Sequence, residues 1–112
     1  MSNTKEQELI IVAGPKGSGK TTLAKEYLDA NKGNYVYLSA DEIAYEINTE
    51  DPISVRLEAG KEFFKRFDQF IKRRRNVLIE TTLSGKSVSN LIKQARNQES
   101  EKAVIRFLRK TL

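Results

Sequence analysis

The sequence predicts an α/β protein with a parallel sheet of three to four strands flanked by helices. Three observations carry this. Short apolar runs recur along the chain, helical apolar spacing follows each of them, and a glycine-rich loop joins the first run to the first helix. With 112 residues there is material for one domain and not for two.

"ELIIVAG" at 8–14 is apolar throughout, as a strand buried on both faces must be. From Ser18 to about Asn31 the pattern changes, with Leu23, Ala24, Tyr27 and Leu28 at helical spacing and Gly33 as a stop. "YVYLSA" at 35–40 is rich in aromatic and β-branched residues and predicts the second strand. Residues 41–54 form a connection with room for a short helix. Pro52 then suits the first turn of a long helix running to about Arg74. Its expected apolar stripe is Ile53, Leu57, Gly60, Phe63, Phe64, Phe67, Phe70 and Ile71. Gly60 costs about 1 kcal/mol there relative to alanine, and close approach of a neighbouring backbone would explain it. "NVLIETT" at 76–82 predicts the third strand, and 84–98 a loop and helix. The final stretch fits strand or helix by its spacing, and the alternation so far favours strand. Residues 1–7 are polar and expected to be flexible, leaving one domain over 8–112.

Composition narrows the chemistry. There are no cysteines and no histidines, which excludes disulfides, thiolate metal sites and imidazole bases. Catalysis would fall to carboxylates, lysines, hydroxyls and backbone groups. The net charge of +5 fits an anionic partner, and "KRRR" at 72–75 concentrates part of it. That run also reads as a solvated helix end, and no nucleic-acid motif or interleaved aromatic surface accompanies it. No apolar stretch is long enough to cross a bilayer, and the polar N-terminus has no signal-peptide core. A cytoplasmic protein is therefore expected.

"GPKGSGKT" at 14–21 matches G-x-x-x-x-G-K-[ST], and it lies between a strand and a helix as the motif requires. Gly14, Gly17 and Gly19 are expected to take backbone angles denied to side chains. The amides from Ser18 to Thr22 would then face an anion, aided by the helix dipole. Lys20 would reach the outer phosphates of a nucleotide, and the Thr21 hydroxyl would ligate Mg²⁺. The dinucleotide pattern fails because Thr22 stands where its third glycine belongs.

Ligands in such sheets sit beyond the carboxyl ends of the strands. Asp41 follows the second strand; Glu80, Thr82 and Ser84 end or follow the third. Any of the carboxylates there could accept a proton, orient a hydroxyl or hold Mg²⁺ through water. Asp41 equally suits a helix cap, and Thr82 or Ser84 could cap the next helix.

"IVAGPKGSGKTTLAKEYL", "LSADEIA", "AGKEFFKRFDQFIKRRRNVLIETTLSG" and "NLIKQA" together resemble the zeta-toxin-like kinases of the P-loop NTPase superfamily. The resemblance runs through residues 9–96 in order. It implies a nucleoside-kinase-like P-loop core that uses ATP and Mg²⁺. It also implies phosphate transfer to a small-molecule hydroxyl, as in the sugar nucleotide UDP-N-acetylglucosamine, and an antitoxin protein as partner. Carried over, Lys20 and Asp41 would be catalytic, with Asp41 preparing the acceptor hydroxyl, and Glu80, Thr82 and Ser84 would meet the substrate. Family members continue into an arginine-bearing lid and a further strand, whereas this sequence stops at Leu112. The expectation is a core without the usual lid and final strand. A module that binds ATP without efficient turnover is the alternative.

Overall fold

The computed structural model describes residues 7–15, 17–31, 33–82, 89–90, 92–94 and 104–109. Strands β1 (Glu8–Ala13), β2 (Val36–Ser39), β3 (Val77–Thr81) and β4 (Val104–Arg109) form one sheet in the order β2-β3-β1-β4. Every pairing is parallel, so all four carboxyl ends share one edge. The final stretch is thus a strand, set beside β1 from Glu8 opposite Val104 to Ala13 opposite Arg109.

Helix α1 (Lys20–Ala30) follows β1, α2 (Ala40–Ile47) follows β2, and α3 (Arg56–Lys72) leads into β3. Residues 89–90 and 92–94 are helical, within the stretch 84–98 predicted as a loop and then a helix. No helix of the described residues is long and apolar enough to cross a membrane.

The sheet buries both faces. On one, Ile10, Val12 and Leu78 meet Ala24 of α1, flanked by Leu23, Tyr27, Leu28, Tyr35 and Tyr37. On the other, Leu9, Ile11, Leu38, Val77 and Ile79 meet α2 and α3. Successive strand residues therefore alternate between two cores, which is why β1 and β3 are apolar without interruption.

The long helix departs from its predicted form in three ways. Pro52–Val55 is a separate 3-10 turn, so α3 begins at Arg56. Its buried stripe is Ala59, Phe63, Phe67 and Ile71, whereas Ile53 and Leu57 are 71% and 82% exposed. Those two residues precede Ala59, the first buried position of α3. Among the described residues a Cβ at Gly60 would meet nothing within 4 Å, so no neighbouring backbone there requires a glycine.

The basic run closes this helix. Arg74 takes a left-handed φ of 56°. Its N–H donates to Ile71, and the Arg75 N–H donates to Phe70, which ties off the last carbonyls. Lys72 pairs with Asp68 at 3.1 Å, and Arg73, Arg74 and Arg75 are exposed. The run precedes β3, at the amino edge of the sheet, opposite the phosphate loop.

Candidate functional site

The loop after β1 turns on two glycines. Gly17 and Gly19 have φ of 83° and 89°, and Gly19 is the residue from which α1 starts. Gly14 is not among the positive-φ residues; its N–H donates to the Thr81 carbonyl at 3.2 Å and holds the loop against β3. The Ser18 N–H donates to the Pro15 carbonyl at 3.1 Å and closes the turn. Any helix start leaves its first N–H groups without intrahelical acceptors, and here the turn sets that end of α1 beside the carboxyl edge of the sheet.

Two polar groups in the loop lack adequate partners. Lys20 is only 5% exposed, and among the described residues its ammonium donates to one carbonyl, Pro15, at a loose 3.4 Å. Ser18 Oγ is buried with no hydrogen-bond partner among the described residues. Burying an ammonium and a hydroxyl in this state is costly unless a ligand completes their bonds, and an oxyanion would do so.

Glu80, near the end of β3, lies beside this loop, with a partner on each oxygen. It is 6% exposed, and each of its oxygens accepts one hydroxyl proton. Thr21 Oγ1 donates to Oε2 at 2.7 Å, and the Tyr37 phenol donates to Oε1 at 2.6 Å. Burial, then the bond to Glu80, raises the Tyr37 phenol well above its ordinary value, so it stays a donor. Tyr37 enters the site because Ser39 pairs with Glu80 in register, which puts Tyr37 on the diagonal of the same face.

Helix α2 forms the facing wall. Ser39 is its N-cap, accepting from the Glu42 N–H at 3.3 Å, while Asp41 and Glu42 occupy the first turn. Asp41 is therefore not the cap; its carboxylate is exposed at the positive end of the helix. Further along, Glu46 is held by Arg66 at 3.4 Å, and Arg66 also pairs with Glu62 at 2.8 Å. The bond to Glu62 leads in raising the Arg66 guanidinium above its ordinary value.

Between these walls is a cleft of about 580 Å³ lined by Gly17, Lys20, Thr21, Asp41 and Glu80, with Tyr37, Ser39, Glu42, Tyr45, Glu46 and Thr49 completing it. The structure thus brings together five residues that the sequence singled out. Gly14, Ser18, Gly19, Thr22 and Thr82 are not among the lining residues; Thr82 is exposed just past β3, and Ser84 lies outside the described residues. Tyr37, Tyr45, Glu46 and Thr49 also line the cleft, and no local pattern in the sequence points to them. A signal for the Ser39 cap was present in "SADE", which has capping-box spacing.

Thr21, its proton held by Glu80, offers a hard oxygen lone pair beside a phosphate cradle, which suits Mg²⁺, an ion that keeps several waters and takes oxygens from the nucleotide. Among the described residues no cluster of three or more acidic side chains forms a self-sufficient metal cage.

A family model described as an AAA domain matches residues 9–109. An uncharacterized protein of Haemophilus influenzae is 32% identical over 91 residues, covering 81% of this chain and 63% of that protein. The solved PezAT chromosomal toxin–antitoxin system of Streptococcus pneumoniae contains a chain that superposes with a TM-score of 0.77. It is 20% identical, covering 95% of this chain and 47% of the other, and shows the shared fold. A chain of the Pnkp1/Rnl/Hen1 complex has a TM-score of 0.73 and 26% identity, covering 100% of this chain and 38% of its own length. The present chain therefore spans less than two-thirds of each of these three.

Proposed function

This chain belongs to the AAA domain family and has a P-loop kinase-like fold, and from that premise we propose an ATP-dependent phosphotransferase that uses Mg²⁺. It moves the γ-phosphate to a hydroxyl of a small molecule; the resemblance to zeta-toxin-like kinases makes a sugar nucleotide such as UDP-N-acetylglucosamine the first candidate. The observation that carries the reading is the buried Lys20 ammonium. Among the described residues it has one loose carbonyl contact, beside a loop of left-handed glycines, in a cleft that also holds Asp41 and Glu80.

In this reading Gly14 to Thr22 cradle the phosphates and Lys20 neutralises them. The Thr21 hydroxyl ligates Mg²⁺, and Glu80 accepts its proton. Bound Mg²⁺ would offset charge on the phosphates. Asp41, exposed on the opposite wall, accepts the proton of the acceptor hydroxyl. Thr82 and Ser84 complete the acceptor side. The resemblance adds an antitoxin protein as partner, and the sequence's lack of a membrane-spanning apolar stretch and of a signal-peptide core fits a cytoplasmic location.

Likeness to a chain of the Pnkp1/Rnl/Hen1 complex, which is an RNA repair complex, favours a second reading, transfer to a nucleic-acid hydroxyl. The cleft lining weighs against it: among the described residues Asp41, Glu42, Glu46 and Glu80 face one ammonium, Lys20, a poor surface for a polyanion. The basic run at 72–75 lies at the far edge of the sheet.

The test is calorimetric titration with ATP and Mg²⁺, followed by transfer of labelled γ-phosphate to neutral sugars, UDP-N-acetylglucosamine and a 5′-hydroxyl oligonucleotide. Lys20→Ala should bind ATP far more weakly. Asp41→Asn should bind ATP as the parent does and lose about 10²-fold or more in transfer. Unaltered affinity in the lysine variant would remove the site. Labelling of the oligonucleotide alone would select the second reading, and binding without any transfer would leave a nucleotide-binding module.

A further inference from the structure

Tyr37 has no part in the reading above, yet its hydroxyl is committed to the most enclosed carboxylate of the cleft. The ring packs beside the Ile10, Val12, Ala24 and Leu78 cluster, a task that phenylalanine would perform equally well. The hydroxyl is a polar group that a core position tolerates only with a partner, and here the partner is Glu80 Oε1 at 2.6 Å.

We propose that Tyr37 is a positioning residue for the magnesium–nucleotide site, acting through Glu80 on the Thr21 hydroxyl. The inference rests on the nucleotide-site reading above. A threonine hydroxyl has one proton and two lone pairs. With its proton given to Glu80 Oε2 at 2.7 Å, Thr21 offers only lone pairs elsewhere, and a lone pair is what a hard cation needs. That arrangement lasts only while the carboxylate keeps its orientation. Tyr37 pins the second oxygen, so Glu80 can neither turn away from Thr21 nor swing to take the cation itself. The three groups come from α1, β2 and β3, and adjacent strands fix two of them in register. Removing the phenol hydroxyl leaves Glu80 a second rotational state and Thr21 a free proton, which would meet the cation repulsively.

The experiment compares ATP binding by calorimetry in excess Mg²⁺ and in excess EDTA, for the parent chain, Tyr37→Phe, Glu80→Gln and the double variant. Tyr37→Phe should bind metal-free ATP as the parent does and lose about tenfold in affinity when Mg²⁺ is present, the lower end of losses typical for groups behind a metal ligand. The Mg²⁺ concentration at half-effect should rise in step. The double variant should lose no more than Glu80→Gln alone, because Tyr37 acts only through that carboxylate. An equal loss in both arms would assign Tyr37 to packing alone and overturn the proposal, as would an unchanged magnesium arm or additive losses in the double variant. A parent chain that binds ATP in neither arm would overturn the nucleotide-site reading and this one with it.

Discussion

Lys20 and Glu80 show how little a residue's identity says about its state. Both are buried and both are ionisable, yet Glu80 has a hydroxyl on each oxygen while Lys20, among the described residues, has one long contact to a carbonyl. The difference is what separates a preset group from one awaiting an anion. Gly60 is a contrasting case. Close packing is the usual reason for a glycine inside a helix, and here a Cβ would enter open space. Helical backbone at this position is available to any L-residue, so glycine brings only its entropic cost. Gly60→Ala should therefore stabilise the protein by about 1 kcal/mol in urea denaturation. A loss of stability would show that something outside the described residues occupies that space.

Elements were legible to the extent that their signal was local. The runs at 8–14, 35–40 and 76–82 became β1, β2 and β3 with ends moved by a residue or so, because a strand buried on both faces has to be continuously apolar. The phosphate loop was legible for the same reason: its glycines, lysine and threonine are all neighbours in sequence. Helix α2 was half-seen, since 40–47 is short and its cap looked like the end of a strand. The Glu80 bonds to Thr21 and Tyr37 were out of reach, because they depend on β3 lying between β2 and β1. Spacing along the chain does not encode that order. The Ser39 cap offers a test at this scale. Ser39→Ala removes the acceptor of the Glu42 N–H and should cost about 0.5–1 kcal/mol, the low side of capping losses given a 3.3 Å bond. Because α2 carries Asp41 and Glu46 into the cleft, the same variant should lower phosphate transfer more than ATP binding. Equal effects on both would separate the cap from the wall it supports.

Across the whole molecule, one face of the sheet is laced by two tyrosine–carboxylate bonds running out of the β2 segment. Tyr37 reaches Glu80 at the carboxyl end of β3, and Tyr35 reaches past β3 to Glu8 at the start of β1, with Tyr27 of α1 packed edge-on against it at 5.6 Å. Burial first, then the carboxylate bond, raises both phenols well above their ordinary value. In the unfolded chain each tyrosine gives up its proton near pH 10; in the folded chain each keeps it to a higher pH. Above about pH 10 the unfolded state therefore binds fewer protons, and stability must fall as pH rises. The contribution of each bond is complete below pH 10 and is lost progressively toward the folded-state value. Tyr37→Phe removes one of the two raised phenols. It should be less stable than the parent at neutral pH, by the loss of one hydrogen bond to a buried carboxylate. Its stability should then decline less steeply with alkalinity, so the two curves converge. Lysines also titrate in this range, but they are common to both proteins and drop out of the difference. Urea unfolding midpoints measured from neutral pH to above pH 10 would decide it. Parallel curves for the two proteins would mean that the Tyr37 phenol titrates alike folded and unfolded, and that Glu80 is not its partner in solution.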